Sequence, residues 1–228
     1  MAVWVTTDLH GNYNLWEQIK NFLKEDDTLI FLGDAIDRGS RGFEIFKELL
    51  EHDQVVYLRG NHEQMMYDAY TIIGPAATES WKHWRNNGGQ ATVNNMKSLN
   101  LGAETELDLI HMVQKLPLTA EYENEMGMKF VLCHAGFTPG RSKNLLWDRK
   151  HLNDSLDHVD DNYVIVHGHT PVAYQRGYES WNEARNDLTP NFYANGHKIN
   201  IDMGVYGTNV CCLLDLDTFE YCLFTTKK

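Results

Sequence analysis

Residues 28–39 read TLIFLGDAIDRG: an apolar run of strand length broken by a glycine, then two aspartates, an arginine and a second glycine. A short continuous apolar run ending at glycine fits a strand buried on both faces. The polar residues after Leu32 therefore sit where that strand ends. The same grammar holds on both sides of it. Residues 2–7, AVWVTT, lead into DLHGN at 8–12, and residues 54–58, QVVYL, lead into RGNHE at 59–63. Between these strands, residues 13–24 put Leu15, Trp16, Ile19, Phe22 and Leu23 on one helical face, and residues 42–51 form a second helix. Strand–helix–strand–helix–strand at this spacing predicts parallel pairing with right-handed crossovers.

Downstream, residues 63–116 read as mostly helical, with Gly88 and Gly89 punctuating two helices. Strands return at 129–133, 163–166, 197–203, 209–216 and 219–225, the last two as a hairpin around 215–218. No internal repeat, low-complexity tract or proline-rich linker interrupts the chain. The expectation is one domain over 1–228, α/β in class, with a helical insertion at about 63–116.

Composition bounds the function. The 228 residues, 43% hydrophobic and 11% aromatic, have ample material for one core. A formal charge of −12 argues against a nucleic-acid partner, since backbone neutralisation needs clustered Lys and Arg. Cys133, Cys211, Cys212 and Cys222 show no CxxC spacing and three lie in apolar runs, which suits buried reduced thiols in a cytoplasmic protein. The chain reaches Asp8 before a signal-peptide core could form, and no apolar stretch approaches the roughly 20 residues of a membrane span.

Residues able to hold a metal recur at strand ends: Asp8 and His10, Asp34 and Asp37, Asn61 and His62, then His134, His167 and His169. Sites in open α/β sheets form outside the carboxyl ends of strands, so residues far apart in sequence can converge there. Carboxylate and imidazole without sulfur suit manganese, iron or zinc. A carboxylate such as Asp34 can bridge two cations roughly 3.5–4 Å apart.

DLHGN at 8–12, GDAIDRG at 33–39, GNHE at 60–63, CHAG at 133–136 and HGHTP at 167–171 together resemble the calcineurin-like metallophosphoesterases. The GDxxDRG form and the glutamate after GNH are similar to the phosphoprotein phosphatase branch, in its compact bacterial and bacteriophage serine/threonine type. The resemblance implies a central β-sandwich of two mixed sheets flanked by helices. It implies Asp8 and His10 on a first divalent metal, Asp34 bridging, and Asn61, His134 and His169 on a second, with manganese favoured and iron or zinc as alternatives. Pro171 stands where many relatives carry a second histidine, which leaves the first metal fewer protein ligands. Bound cations would also supply the positive charge that an acidic protein needs to hold phosphate.

The implied reaction is hydrolysis of phosphomonoesters by direct attack of a metal-bridging hydroxide, without a covalent phosphoenzyme. The substrate would be phosphoserine or phosphothreonine in proteins, or a small phosphoester. In this reading His62 is the general acid, oriented by Asp37. Arg38 and Arg149 fork onto the phosphate and Asn61 also contacts it, Arg149 by virtue of LLWDR at 145–149. Symmetrical diadenosine tetraphosphate hydrolysis, or broad phosphodiesterase activity on the same two-metal site, is the alternative, although the tetraphosphate hydrolases tend to depart from DRG, which this chain keeps. Arg59 is open between bracing a loop and supporting the site, and His167 is read as structural. His52, His83, His111, His151, His158 and His197 have no partner pattern. Trp81, Trp84 and Trp147 are read as core or site rim, and the acidic stretches at 121–125 and 154–161 as solvated faces.

Overall fold

The structure is a computed structural model that describes residues 1–137, 144–152 and 163–226. Among the described residues ten strands run in chain order: β1 (Val3–Thr6), β2 (Thr28–Phe31), β3 (Val55–Tyr57), β4 (Thr119–Glu123), β5 (Lys129–Cys133), β6 (Tyr163–His167), β7 (Asn191–Tyr193), β8 (Lys198–Asn200), β9 (Val210–Asp215) and β10 (Tyr221–Thr225). They make two five-stranded mixed sheets, ordered β10-β9-β1-β2-β3 and β4-β5-β6-β8-β7. As the alternation predicts, β1, β2 and β3 are parallel, with Val5 opposite Ile30 and Ile30 opposite Val56.

The pleat explains the continuous apolar runs. Val3, Val5, Ile30 and Leu32 point inward and pack with Phe130, Leu132, Val164 and Val166 of the second sheet. Leu29 and Phe31 point the other way, into a second core shared with helices α1 (Tyr13–Phe22) and α2 (Gly42–Glu51). A strand covered on both faces has no polar side to show. The result is the expected sandwich of two mixed sheets flanked by helices.

Helix α3 (Asn61–Thr71) starts at Asn61, two residues before the sequence-based boundary, and α4 (Pro75–Trp84), α5 (Gln90–Leu99) and α6 (Ala103–His111) complete the helical region. Between α4 and α5 the chain makes a wide turn at Arg85–Gly89, in which Gly88 takes φ 103°. That is the punctuation expected of the glycine pair.

Two strands escape the sequence reading. β4 is an edge strand whose Glu121 and Glu123 are exposed, so the acidic face is solvated as expected but belongs to a strand. β7 has three residues, too few for periodicity to register. The strand expected over 197–203 stops at Asn200. There Asn200 Oδ1 accepts from Asp202 N at 3.0 Å, and Asp202 Oδ1 from Gly204 N at 2.7 Å, local bonds that compete with the ladder. The acidic stretch at 154–161, with His158, lies outside the described residues.

Candidate metal centre and active site

Backbone bonds zip the strand-end loops together. Asp8 N donates to Gly33 O, His10 N to Asp34 O and Gly168 N to His134 O, all within 3.0 Å. The Glu63 carboxylate accepts from the amides of Asp34, Ala35 and Gly60 and from the Tyr57 hydroxyl. It thereby braces the second loop against the third. Asp8, His10, Asp34, Asp37, Arg38 and His169 all have φ between 43° and 71°. That left-handed conformation costs non-glycine residues energy and here re-aims six side chains at strand ends.

Two clusters of candidate ligand atoms result, one of His10, Asp34 and His62 and one of Asp34, His134 and His169, each spanning no more than 4.8 Å. Asp34 belongs to both. Its Oδ2 lies 3.9 Å from His10 Nε2, 3.8 Å from His62 Nε2 and 3.5 Å from His134 Nε2. Asp8 Oδ1 adds a further oxygen 3.7 Å from His10 Nε2, while Asp8 Oδ2 is engaged by Thr7 Oγ1 and the His169 amide.

Lone pairs meet lone pairs in this space. Nδ1 of His134 lies 3.0 Å from the Leu32 carbonyl and must donate to it, which leaves Nε2 bare. That bare nitrogen faces Asn61 Oδ1 at 2.8 Å, and the same oxygen faces His169 Nδ1 at 2.9 Å. His10 repeats the arrangement, with Nδ1 on the Ile36 carbonyl and Nε2 turned inward. A backbone carbonyl holding the far ring nitrogen is how proteins orient metal-binding imidazoles. Nε2 of His169 is buried with no hydrogen-bond partner. Burial pushes His10 and His169 below the ordinary imidazole range, and burial with Asp8 and Glu63 nearby pushes Asp34 well above the usual carboxylate range. Carboxylate oxygens and imidazole nitrogens crowded this closely fit a divalent cation.

Beside the clusters stands a proton-handling pair. Arg38 Nη2 is 3.2 Å from His62 Nε2, and a guanidinium can only donate, so Nδ1 carries the ring proton and gives it to Asp37 Oδ2 at 2.7 Å. Asp37 is held from the helical region: Trp84 Nε1 donates to Oδ2 at 2.8 Å and Thr92 Oγ1 to Oδ1 at 2.6 Å. Burial raises the Asp37 carboxyl to about 7, against the pull of Thr92, Trp84 and Arg38. Gly88 completes the support. Its carbonyl accepts from Arg38 N, and a Cβ there would lie 2.8 Å from Arg38 Cγ.

A cavity of about 300 Å³ opens over these groups, lined among others by Arg38, Asn87, Trp147, Arg149, Trp181 and Tyr206. Arg149 is thus at the cavity, and Trp147 packs edge-on against His169. Trp84 is core, and Trp81 packs against the same core. Arg59 is elsewhere: it bonds Gln64 and the carbonyls of Gln114 and Leu116, pinning the end of the helical region. His167 turns away from both clusters, toward Tyr193.

Sequence reasoning missed Asp202, which is buried, lines the cavity and has its carboxyl raised by burial and by Asp8. The signal was present, an aspartate at a strand end two residues before glycine, but the over-long strand absorbed it. Trp84 and Thr92 carry no local signal for their role, because each meets Asp37 only through the fold.

A two-sheet sandwich that gathers carboxylates, imidazoles and an amide oxygen at its strand ends, with arginines at the rim, defines a metal-dependent phosphoester hydrolase. Residues 1–200 match the model of the calcineurin-like phosphoesterase family, and the chain belongs to that family. It is 29% identical over 184 residues to serine/threonine-protein phosphatase 2 of Escherichia coli, covering 73% of this chain and 78% of that protein. Against the phosphatase 2 of Salmonella typhimurium the identity is 32% over 188 residues, covering 75% and 81%. A symmetrical bis(5'-nucleosyl)-tetraphosphatase of Xanthomonas campestris is 30% identical over 148 residues, 61% of this chain and 39% of that one. Among solved structures, a serine/threonine phosphatase from Saccharomyces cerevisiae superposes with a TM-score of 0.61 at 16% identity, covering all of this chain and 81% of that one. This last likeness speaks to the fold alone.

Proposed function

We propose that the protein hydrolyses phosphomonoesters, with phosphoserine and phosphothreonine in proteins as substrates, at a centre of two divalent cations. Asp8 and His10 would hold the first cation and Asn61, His134 and His169 the second, with Asp34 within reach of both and manganese as the native metal. The observation that carries this reading is Asp34 Oδ2, which faces ligand nitrogens of both clusters at once. When bound, such cations lower the pKa of water towards neutrality and offset the charge on phosphate oxygens.

The chain's own residues supply the rest. Arg38 and Arg149 line the cavity from two separate loops and hold the phosphate by charge-assisted bonds, with Asn61 beside them. None of the described lining residues is Ser, Thr or Cys, and in this reading Asp8, Asp34, His10 and His169 are committed to cations and His62 to proton transfer, which favours water as the nucleophile. His62 presents Nε2 to the site and exchanges a proton there with the leaving oxygen, while Asp37 fixes Nδ1 and stabilises the charged ring. The helical region at 61–115 acts within a single domain by supporting Asp37.

The test is a substrate panel on protein loaded with manganese: a phosphoserine peptide, diadenosine tetraphosphate and bis-p-nitrophenyl phosphate. The peptide should turn over with the highest kcat/KM. A higher value for diadenosine tetraphosphate would replace this reading with the anhydride one, which the tetraphosphatase relatives suggest.

A further inference from the structure

Behind the metal clusters lies a second polar cluster that the reaction does not use. The Tyr193 hydroxyl, at the end of β7, is 2.7 Å from Nε2 of His167 and 3.3 Å from Nε2 of His151. The hydroxyl therefore lies between two imidazoles, donating to the nearer Nε2 of His167, whose Nδ1 faces the Gly168 carbonyl, and the two rings meet edge to face with centroids 4.4 Å apart. Both histidines are fully buried. His151 Nδ1 lies 3.1 Å from the Asp148 carbonyl, and the His151 carbonyl accepts from Lys198 Nζ, itself buried on β8, at 2.5 Å. Space for the ring exists because residue 136 is glycine: a Cβ there would sit 2.1 Å from His151 Nδ1. Polar contacts to both the ring and the backbone carbonyl of one buried residue mark a built contact, since a buried polar group is costly if left unpaired.

What the cluster grips is the segment 144–152, which carries Trp147 and Arg149 to the cavity. Arg149 is exposed, and no hydrogen bond or ion pair holds its side chain among the described residues. Its position is set by its backbone, two residues from His151. At the other end the segment is tied by Ala135 N to the Leu145 carbonyl at 3.2 Å. We propose that Tyr193, His151 and His167 form a buried latch that holds Arg149 over the phosphate cavity. This makes them positioning residues and gives His151 and His167 a role in substrate binding that neither exerts by touching substrate. The consequence for phosphate rests on the role given to Arg149 under the proposed function; the grip on the segment does not.

Two measurements separate those layers. The first is kinetics on a small phosphomonoester with Tyr193→Phe, His151→Ala, Arg149→Ala and the double variant His151→Ala/Arg149→Ala. Loss of one charge-assisted phosphate contact corresponds to about tenfold in affinity. Tyr193→Phe and His151→Ala should raise KM by up to that factor, as Arg149→Ala does, with smaller losses in kcat. The double variant should be no worse than Arg149→Ala, because the latch acts through that residue. A merely structural role would lower the active fraction, and so kcat, while leaving KM alone.

The second is limited trypsin digestion, read by mass spectrometry at the Arg149–Lys150 and Lys150–His151 bonds. Both latch variants should be cut there several-fold faster than the parent, with digestion run well below the Tm of each variant so that local opening rather than global unfolding is read. Additive losses in the double variant, or cleavage at the parental rate, would overturn the latch. Parental kinetics in Arg149→Ala would instead sink the phosphate role of Arg149, and the digestion would still decide the latch by itself.

Discussion

At the scale of single residues, His62 is the position where two chemistries compete. It belongs to one ligand cluster by distance, yet its Nδ1 is committed to Asp37 at 2.7 Å and its Nε2 meets Arg38. Burial and the Arg38 guanidinium push its imidazole well below the ordinary value, so the ring depends on Asp37 to carry charge. If His62 is the acid, His62→Asn lowers kcat by about 100-fold or more while metal content, read by elemental analysis, stays near two per chain. Metal lost together with activity would make it a ligand instead. Asp202 poses the complementary case. It adds a buried carboxylate beside Asp8, where the first cation of the proposed pair would have no ligand from Pro171. Asp202→Asn should weaken manganese binding by roughly 10–100-fold, as loss of an outer carboxylate does. Calorimetric titration with manganese measures it, and parental affinity would leave Asp202 without this role.

At the scale of elements, the helical region turns out to be part of the active site's scaffold. Trp84 at the end of α4 and Thr92 at the start of α5 both donate to the Asp37 carboxylate, and donors to a carboxylate favour its charged form. Removing either raises the Asp37 pKa further. Activity that needs Asp37 ionised is lost as pH falls through that pKa. Thr92→Val and Trp84→Phe should therefore shift the acid limb of the kcat profile to higher pH, by about half a unit or more for one neutral hydrogen bond. An unmoved limb in both variants would remove Asp37 from the proton path. This support was invisible in sequence, because nothing near Thr92 or Trp84 marks a partner some 50 residues away. The loops themselves were legible, since β2 ends at a Gly-Asp pair whose polarity contrasts with the buried strand before it. Where a strand end was masked by a continuing apolar pattern, as at 201–203, the ladder could not be told from the Asx turn that breaks it. β4 hid for the opposite reason: half-exposed edge strands show charge where buried ones show none.

At the scale of the whole molecule, the acidic balance of −12 and the buried carboxylates are one problem. Without a cation the fold must bury Asp34 and Asp202 near Asp8, and burial raises both carboxyls well above their ordinary range. For acids whose folded pKa is raised, the native state favours the protonated form, so their contribution to stability falls as pH rises from the unfolded pKa towards the folded one. The buried His10 and His169 run the other way: held neutral, they cost stability below the unfolded imidazole pKa. A cation binding these groups requires both kinds deprotonated, so the two signs agree for binding although they oppose each other in the metal-free protein. Manganese should stabilise the chain more at pH 8 than at pH 5.5. At about 100 times its dissociation constant, a single ion contributes roughly 2.7 kcal/mol, or about 5–10 °C in Tm for a chain of this size. Thermal unfolding of chelator-stripped protein with and without manganese at the two pH values reads the increment directly. An increment equal at both, or larger at pH 5.5, would mean that cations do not bind through the buried carboxylates and imidazoles at the strand ends.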